Sequence, residues 1–161
     1  MKICKIIYLI FFAVTIQNCN AQKNNELIIT YERLFINNNV ISKSFTYNSQ
    51  SAIYEYRQLY PDGSYQLKTV TVNLTQDNIR EIYDLYVKLK PENLRNCLFI
   101  EDELRYSSSI TFNLKDDKKS KDPVCNKDEE DEKKYRKIEE KLYEFIMPTY
   151  RLKYPHEFIG K

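Results

Sequence analysis

The sequence predicts an α+β fold: one domain with a mostly antiparallel sheet of about four to five strands and two helices packed on one face. Three observations carry this. Residues 52–60 and 64–74 alternate in polarity around Pro61-Asp62-Gly63, which reads as a β-hairpin. Two later segments, following Thr75 and Asn126, repeat their apolar residues at helical spacing instead. About 140 residues follow the first 21, a length for one domain, and they contain no internal repeat.

The elements follow in order. Residues 22–25 are a polar tether. Residues 27–36 are rich in β-branched and aromatic side chains and read as a strand. Asn37-Asn38-Asn39 is a turn, residues 40–47 a weaker strand, and residues 48–51 another turn. In the hairpin, proline presets the first turn dihedral and Gly63 accepts a left-handed one. Tyr60 then faces Ser64, Tyr56 faces Lys68, and Tyr54 faces Val70. Tyr54, Tyr56, Val70, Val72 and Leu74 share the expected core face. Ile53, Glu55, Arg57, Leu59, Tyr65, Leu67, Thr69 and Thr71 share the other.

Thr75 is expected to cap a helix carrying Ile79, Ile82, Tyr83, Tyr86 and Leu89, with Pro91 as its stop. Residues 104–114 return as a strand, and residues 115–121 form a charged loop, within a loop region near 115–126. Asn126 with Glu129 three residues on resembles a capping arrangement for the last helix. Acids at 128–132 and the bases that follow suit the helix dipole. Tyr135, Ile138, Leu142, Phe145 and Ile146 form its apolar stripe, and Pro148 is the expected end. Residues 150–161 show no pattern.

The first 21 residues read as a secretory signal peptide. Lys2 and Lys5 precede an apolar run over residues 6–14, too short for a bilayer-spanning helix, and a polar stretch ends at Cys19-Asn20-Ala21. The ending Cys-Asn-Ala-Gln resembles the leader end of many small bacterial lipoproteins. That resemblance covers only the leader and implies a lipid on Cys19. Cleavage after Ala21, with small side chains at Cys19 and Ala21, is the other route. The expected location is the periplasm, or a membrane-anchored lipoprotein of a bacterial envelope.

The chain holds 25 Lys+Arg and 23 Asp+Glu. Losing Lys2 and Lys5 leaves 23 of each sign, so no global pull toward nucleic acid or anionic lipid follows. Any membrane association would come through Cys19. Lysine, asparagine, isoleucine and tyrosine are abundant and all have A/T-rich codons, so base composition is a bland source for the tyrosines. In an oxidising compartment Cys97 and Cys125 read as a disulfide.

Catalytic sets are hard to assemble. His156 is the only histidine, beside Pro155 in the tail, and Ser107-Ser108-Ser109 lie mid-strand without a nucleophile elbow. Glu101, Asp102 and Glu103, and separately Asp116 and Asp117, read as solvated loop acids. Residues 122–132 hold acids but neither the glycine nor the register of a calcium loop. Two glycines, Gly63 and Gly160, do not make a phosphate-cradling loop. No metal site or cofactor is expected.

The second face of the hairpin carries the candidate binding residues Glu55, Arg57, Tyr65 and Leu67, because aromatic and arginine anchors on a flat polar face suit a protein partner. The reading is an exported, non-catalytic envelope protein that binds another protein, as an inhibitor, an immunity-type protein or an accessory lipoprotein. The alternative is a small secreted hydrolase whose site the sequence does not display.

Overall fold

A computed structural model describes residues 26–114 and 123–158. The leader, Cys19 and the lysine-rich loop lie outside the described residues. Six strands form one antiparallel sheet: β1 (Leu27–Asn37), β2 (Val40–Asn48), β3 (Ile53–Leu59), β4 (Tyr65–Thr71), β5 (Arg95–Ile100) and β6 (Glu103–Leu114). Their order across the sheet is β4-β3-β2-β1-β6-β5. Helix α1 (Gln76–Leu89) links β4 to β5, and α2 (Glu129–Lys153) follows β6.

The hairpin register is the one the turn chemistry dictates. Tyr54 opposes Val70 and Tyr56 opposes Lys68, while Tyr60 N–H donates to Ser64 O at 2.9 Å. Asp62 Oδ1 accepts from Ser64 N at 2.9 Å, and Gly63 takes φ +82°, so each turn residue does the task its chemistry allows. Thr75 caps α1 by accepting from Asn78 N, and Lys90, left-handed at φ 47°, closes it before Pro91.

Four expectations need correction. The sheet has six strands, because residues 95–100 pair with β6. Glu101 and Asp102 make the two-residue turn between them at φ 51° and 62°, a geometry usually given to Asn or Gly, so no turn signal marks it. Of that acidic trio only these two are turn residues, since Glu103 begins β6. The cap of α2 is Asp128, which accepts from Glu130 N, rather than Asn126. Asn126 instead bonds to β5: its N–H donates to Arg95 O at 2.7 Å and its Nδ2 to Asn96 Oδ1 at 2.9 Å. Pro148 also fails to end the helix, which runs on to Lys153. Its missing N–H falls on the exposed side, while Ile146 and Tyr150 on either side are buried.

Both helices pack on one face. A row of side chains crosses the sheet there, Val70, Tyr54, Tyr47, Tyr31 and Ile110, each opposite the next. Against it lie Ile79 and Ile82 of α1 and Tyr135, Ile138, Leu142, Ile146 and Tyr150 of α2, all buried. Helix α2 begins near the start of β5, where Asp131 Oδ2 accepts from Glu92 N at 2.7 Å. It ends at the far edge, where Lys153 Nζ donates to Thr69 O at 2.7 Å. It therefore crosses the sheet from one edge to the other. No helix among the described residues is long and apolar enough to cross a membrane.

Cys97 and Cys125 form a disulfide, with Cα atoms 5.6 Å apart and a sequence separation of 28. The bond holds the segment after residue 122 along β5. Closing a loop of that length is worth about 3–4 kcal/mol in the chain-entropy model. Reduction without other change is expected to lower the urea unfolding free energy by roughly that amount. An unchanged midpoint under reducing conditions would show that the unfolded chain gains nothing from the opened loop.

Candidate functional site

Two surfaces stand out, one expected from the sequence and one not. The expected one is the outer face of β3 and β4, away from the helices. Arg57 lies directly opposite Leu67, and Leu59 opposite Tyr65. Arg57 pairs with Glu55 at 3.3 Å, and its guanidinium lies 5.9 Å from the centre of the Tyr65 ring. Tyr65 is 65 % exposed and Leu67 45 %. The structure thus gathers Glu55, Arg57, Tyr65 and Leu67 into one cluster. Elsewhere on the outer face Thr30, Glu32, Thr46, Ser109 and Thr111 line a shallow polar depression. Cys97 and Cys125 are structural partners at the opposite edge of the sheet from this cluster.

The second surface is a groove of about 750 Å³ between the inner face of the sheet and the flank of α2. Arg33, Asn96 and Tyr106 contribute from the sheet, and Arg136, Glu139 and Tyr143 from the helix. Strand alternation puts Arg33 two residues beyond Tyr31 on the same inward face, next to Phe45 on one side and Ser108 on the other. Its Nη2 meets Glu139 Oε1 at 2.9 Å, with the two side chains only 24 % and 9 % exposed. The guanidinium lies 4.8 Å from the Tyr143 ring centre and about 6 Å from Tyr31 and Tyr106, within cation–π range.

The hydroxyls order this cluster. Tyr31 Oη donates to the same Glu139 Oε1 at 2.9 Å. Its one proton being used there, Tyr143 Oη must donate to Tyr31 Oη across their 2.9 Å contact. Protons therefore point one way, from Tyr143 to Tyr31 to Glu139, with Arg33 closing the set. Burial acts against the Arg33 charge, but Tyr31, Tyr143 and Glu139 around it raise its pKa. Burial, reinforced by Tyr143 and Glu139, pushes the Tyr31 hydroxyl far above the ordinary phenol range. Burial raises Tyr143, Tyr106 and Tyr54 as well.

Such phenols stay neutral at ordinary pH and serve as donors rather than bases. Glu139 already accepts two hydrogen bonds through one oxygen. Other groove acids are engaged too, Glu132 by Arg136 and Glu144 by Lys141. The cluster is built to hold a charge pair still. The sequence signal for it was the alternation Ile29, Tyr31, Arg33, Phe35, which places an arginine in line with two core residues.

Other candidate chemistry does not assemble. Ser107 and Ser108 are buried in β6, Ser107 Oγ accepting from Arg95 Nε at 2.9 Å. His156 sits exposed on the terminal 3₁₀ turn, Pro155–Phe158. Among the described residues no three His, Cys, Asp or Glu side chains gather as a metal-holding group. Comparison with protein-family models, curated proteins and solved structures yields no match to this chain.

Removing one partner of a buried ion pair strands the other. Glu139→Ala is therefore expected to destabilise by about 3–5 kcal/mol. Glu139→Ala combined with Arg33→Met should recover part of that loss, and chemical denaturation of the set measures both. A double variant no better than the single one would show that the pair does not act as a unit.

Alkaline pH should unfold the domain through its tyrosines. Tyr47 and Tyr150 are pushed up to about 12 by burial, and Tyr31, Tyr54, Tyr135 and Tyr143 are also raised. An unfolded tyrosine titrates near 10. A raised folded pKa means the stabilisation is fully present below about pH 10 and is lost as pH climbs through about 12. Denaturation midpoints should fall across that window, with the buried phenolate absorbance appearing only together with unfolding.

Proposed function

We propose that this chain is an exported, non-catalytic protein-binding module of a bacterial envelope, acting through the outer face of β3 and β4. One observation supports the reading above the rest. Tyr65, Leu67, Leu59 and Arg57 form an exposed apolar and cationic cluster on the outer face of β3 and β4, away from the helices. Large aromatic and arginine side chains are the residues that dominate binding energy when a partner desolvates them. Nothing in the fold demands that they be exposed, since the core is complete on the other face.

The leader and the disulfide support export, because disulfides persist where thiols are not kept reduced. The anchoring route, a lipid on Cys19 or free release after Ala21, is part of the proposal and is separable by labelling with a palmitate analogue.

Replacing Arg57 and Tyr65 together by alanine should leave circular dichroism and thermal unfolding nearly unchanged. Partner capture from an envelope extract should weaken at least about tenfold, since two anchor truncations together commonly exceed 1.4 kcal/mol. A variant that folds and still captures the same partner would move the interface elsewhere.

A further inference from the structure

A sheet edge is where a folded chain still has main-chain hydrogen bonds to offer. The β5 edge is partly engaged by Asn126 N–H on Arg95 O and by the disulfide beside it. The β4 edge differs along its length. Val72 N–H donates to Ala52 O and Tyr60 N–H to Ser64 O, so the even-numbered residues of β4 turn their main chain toward β3. Tyr65, Leu67, Thr69 and Thr71 turn theirs outward. At Thr69 the outward carbonyl already accepts from Lys153 Nζ at 2.7 Å and Tyr154 Oη at 3.1 Å. At Tyr65 and Leu67 no described residue bonds to the outward groups. The strand has no proline and pairs with β3 without a bulge; of the common guards against edge pairing it carries a charge, Lys68, which lies over the Tyr56 ring on the inner face.

We propose that this half-edge pairs antiparallel with the same half-edge of a second copy of the chain, about a two-fold axis through Gln66. Three features select a second copy. The first is register: placing Tyr65 opposite the partner's Leu67, twice over, forms four main-chain hydrogen bonds. It uses every open group at those two residues and stops where Lys153 and Tyr154 begin. The second is apolar cover, since the exposed Tyr65 then lies beside the partner's Leu67 on the outer face. The third is charge. The same register carries Asp62 along the edge to the partner's Lys153, so opposite charges meet at both ends of the pair.

A loose peptide would have to be ordered to gain the same few bonds, whereas a second β4 is already held in a sheet. The two six-stranded sheets would then join, bringing two Arg57 clusters onto one continuous outer face. The pairing shares Tyr65 and Leu67 with the proposed partner face, but the cysteine pair at residues 66 and 58 tests it through positions outside that face.

Sedimentation of the disulfide-bonded protein over a concentration series should show a reversible dimer. Gln66→Cys should link covalently at least about tenfold faster than Gln58→Cys, which sits directly across on β3 and one strand further from the axis. In this register the two Gln66 positions form a non-hydrogen-bonded pair with Cα atoms about 4.5 Å apart, within disulfide reach. Leu67→Pro removes an N–H that β3 does not use and should give a folded monomer; if that variant unfolds, the cysteine pair still decides. A monomer at every concentration overturns the proposal. So do equal linking rates for the two cysteine variants, or capture of a different chain by this edge while the protein itself stays monomeric.

Discussion

A sheet of six strands is about 24 Å wide at the usual strand spacing, and α2, at 25 residues, is about 37 Å long. That one helix can therefore reach from β5 to β4, and it does, anchored by Asp131 at its start and by Lys153 at its end. The sheet's long strands, 11 and 12 residues in β1 and β6, extend roughly 36–40 Å in the other direction. Two helices side by side, each about 10 Å across, cannot cover that. Much of what is unusual in the molecule follows from the mismatch. The inner face is sealed where the helices lie and open beyond them, and the groove marks the line between the two. Phe35 and Leu98, on the inner face past the helices, are left exposed.

The boundary explains why polar chemistry appears inside an otherwise apolar layer. At the row of Tyr31 the helix covers the sheet, and the core is built from rings. One step further, at Arg33, water reaches the side chain. A charge is tolerable there if its partner comes from the helix, and Glu139 is next to Ile138 on the buried stripe. The tyrosines suit such a seam because each has an apolar body and one polar tip. Tyr31 and Tyr143 turn their rings into the core at 5.5 Å between centroids while their hydroxyls meet over Glu139.

Local chemistry carried much of the fold. The hairpin around Gly63 was legible because proline, aspartate and glycine suit successive turn positions, and alternation then sorted most β3 and β4 residues between the two faces. Thr75 and the apolar spacing after it marked α1 in the same way. What escaped were features decided by tertiary context. Strand β5 is short, lies at an edge and returns through Glu101 and Asp102, residues that do not ordinarily announce a left-handed turn. Pro148 reads as a stop because an isolated helix would break there, but burial of Ile146 and Tyr150 outweighs one lost hydrogen bond. The groove was illegible for a related reason: Arg33 and Glu139 are 106 positions apart, and nothing local shows that a helix from the end of the chain will lie over the first strand.

The clip formed by Cys97 and Cys125 has a meaning beyond stability. Leu98, Phe99 and Ile100, just after Cys97, are all more than half exposed. Asn126, next to Cys125, occupies the main chain of the same strand at Arg95. Where thiols are kept reduced, nothing covalent keeps that segment in place, and only hydrogen bonds such as that from Asn126 hold it to β5. The disulfide is thus the covalent tie that keeps the approach to α2 beside the sheet edge, one residue before the apolar stretch begins.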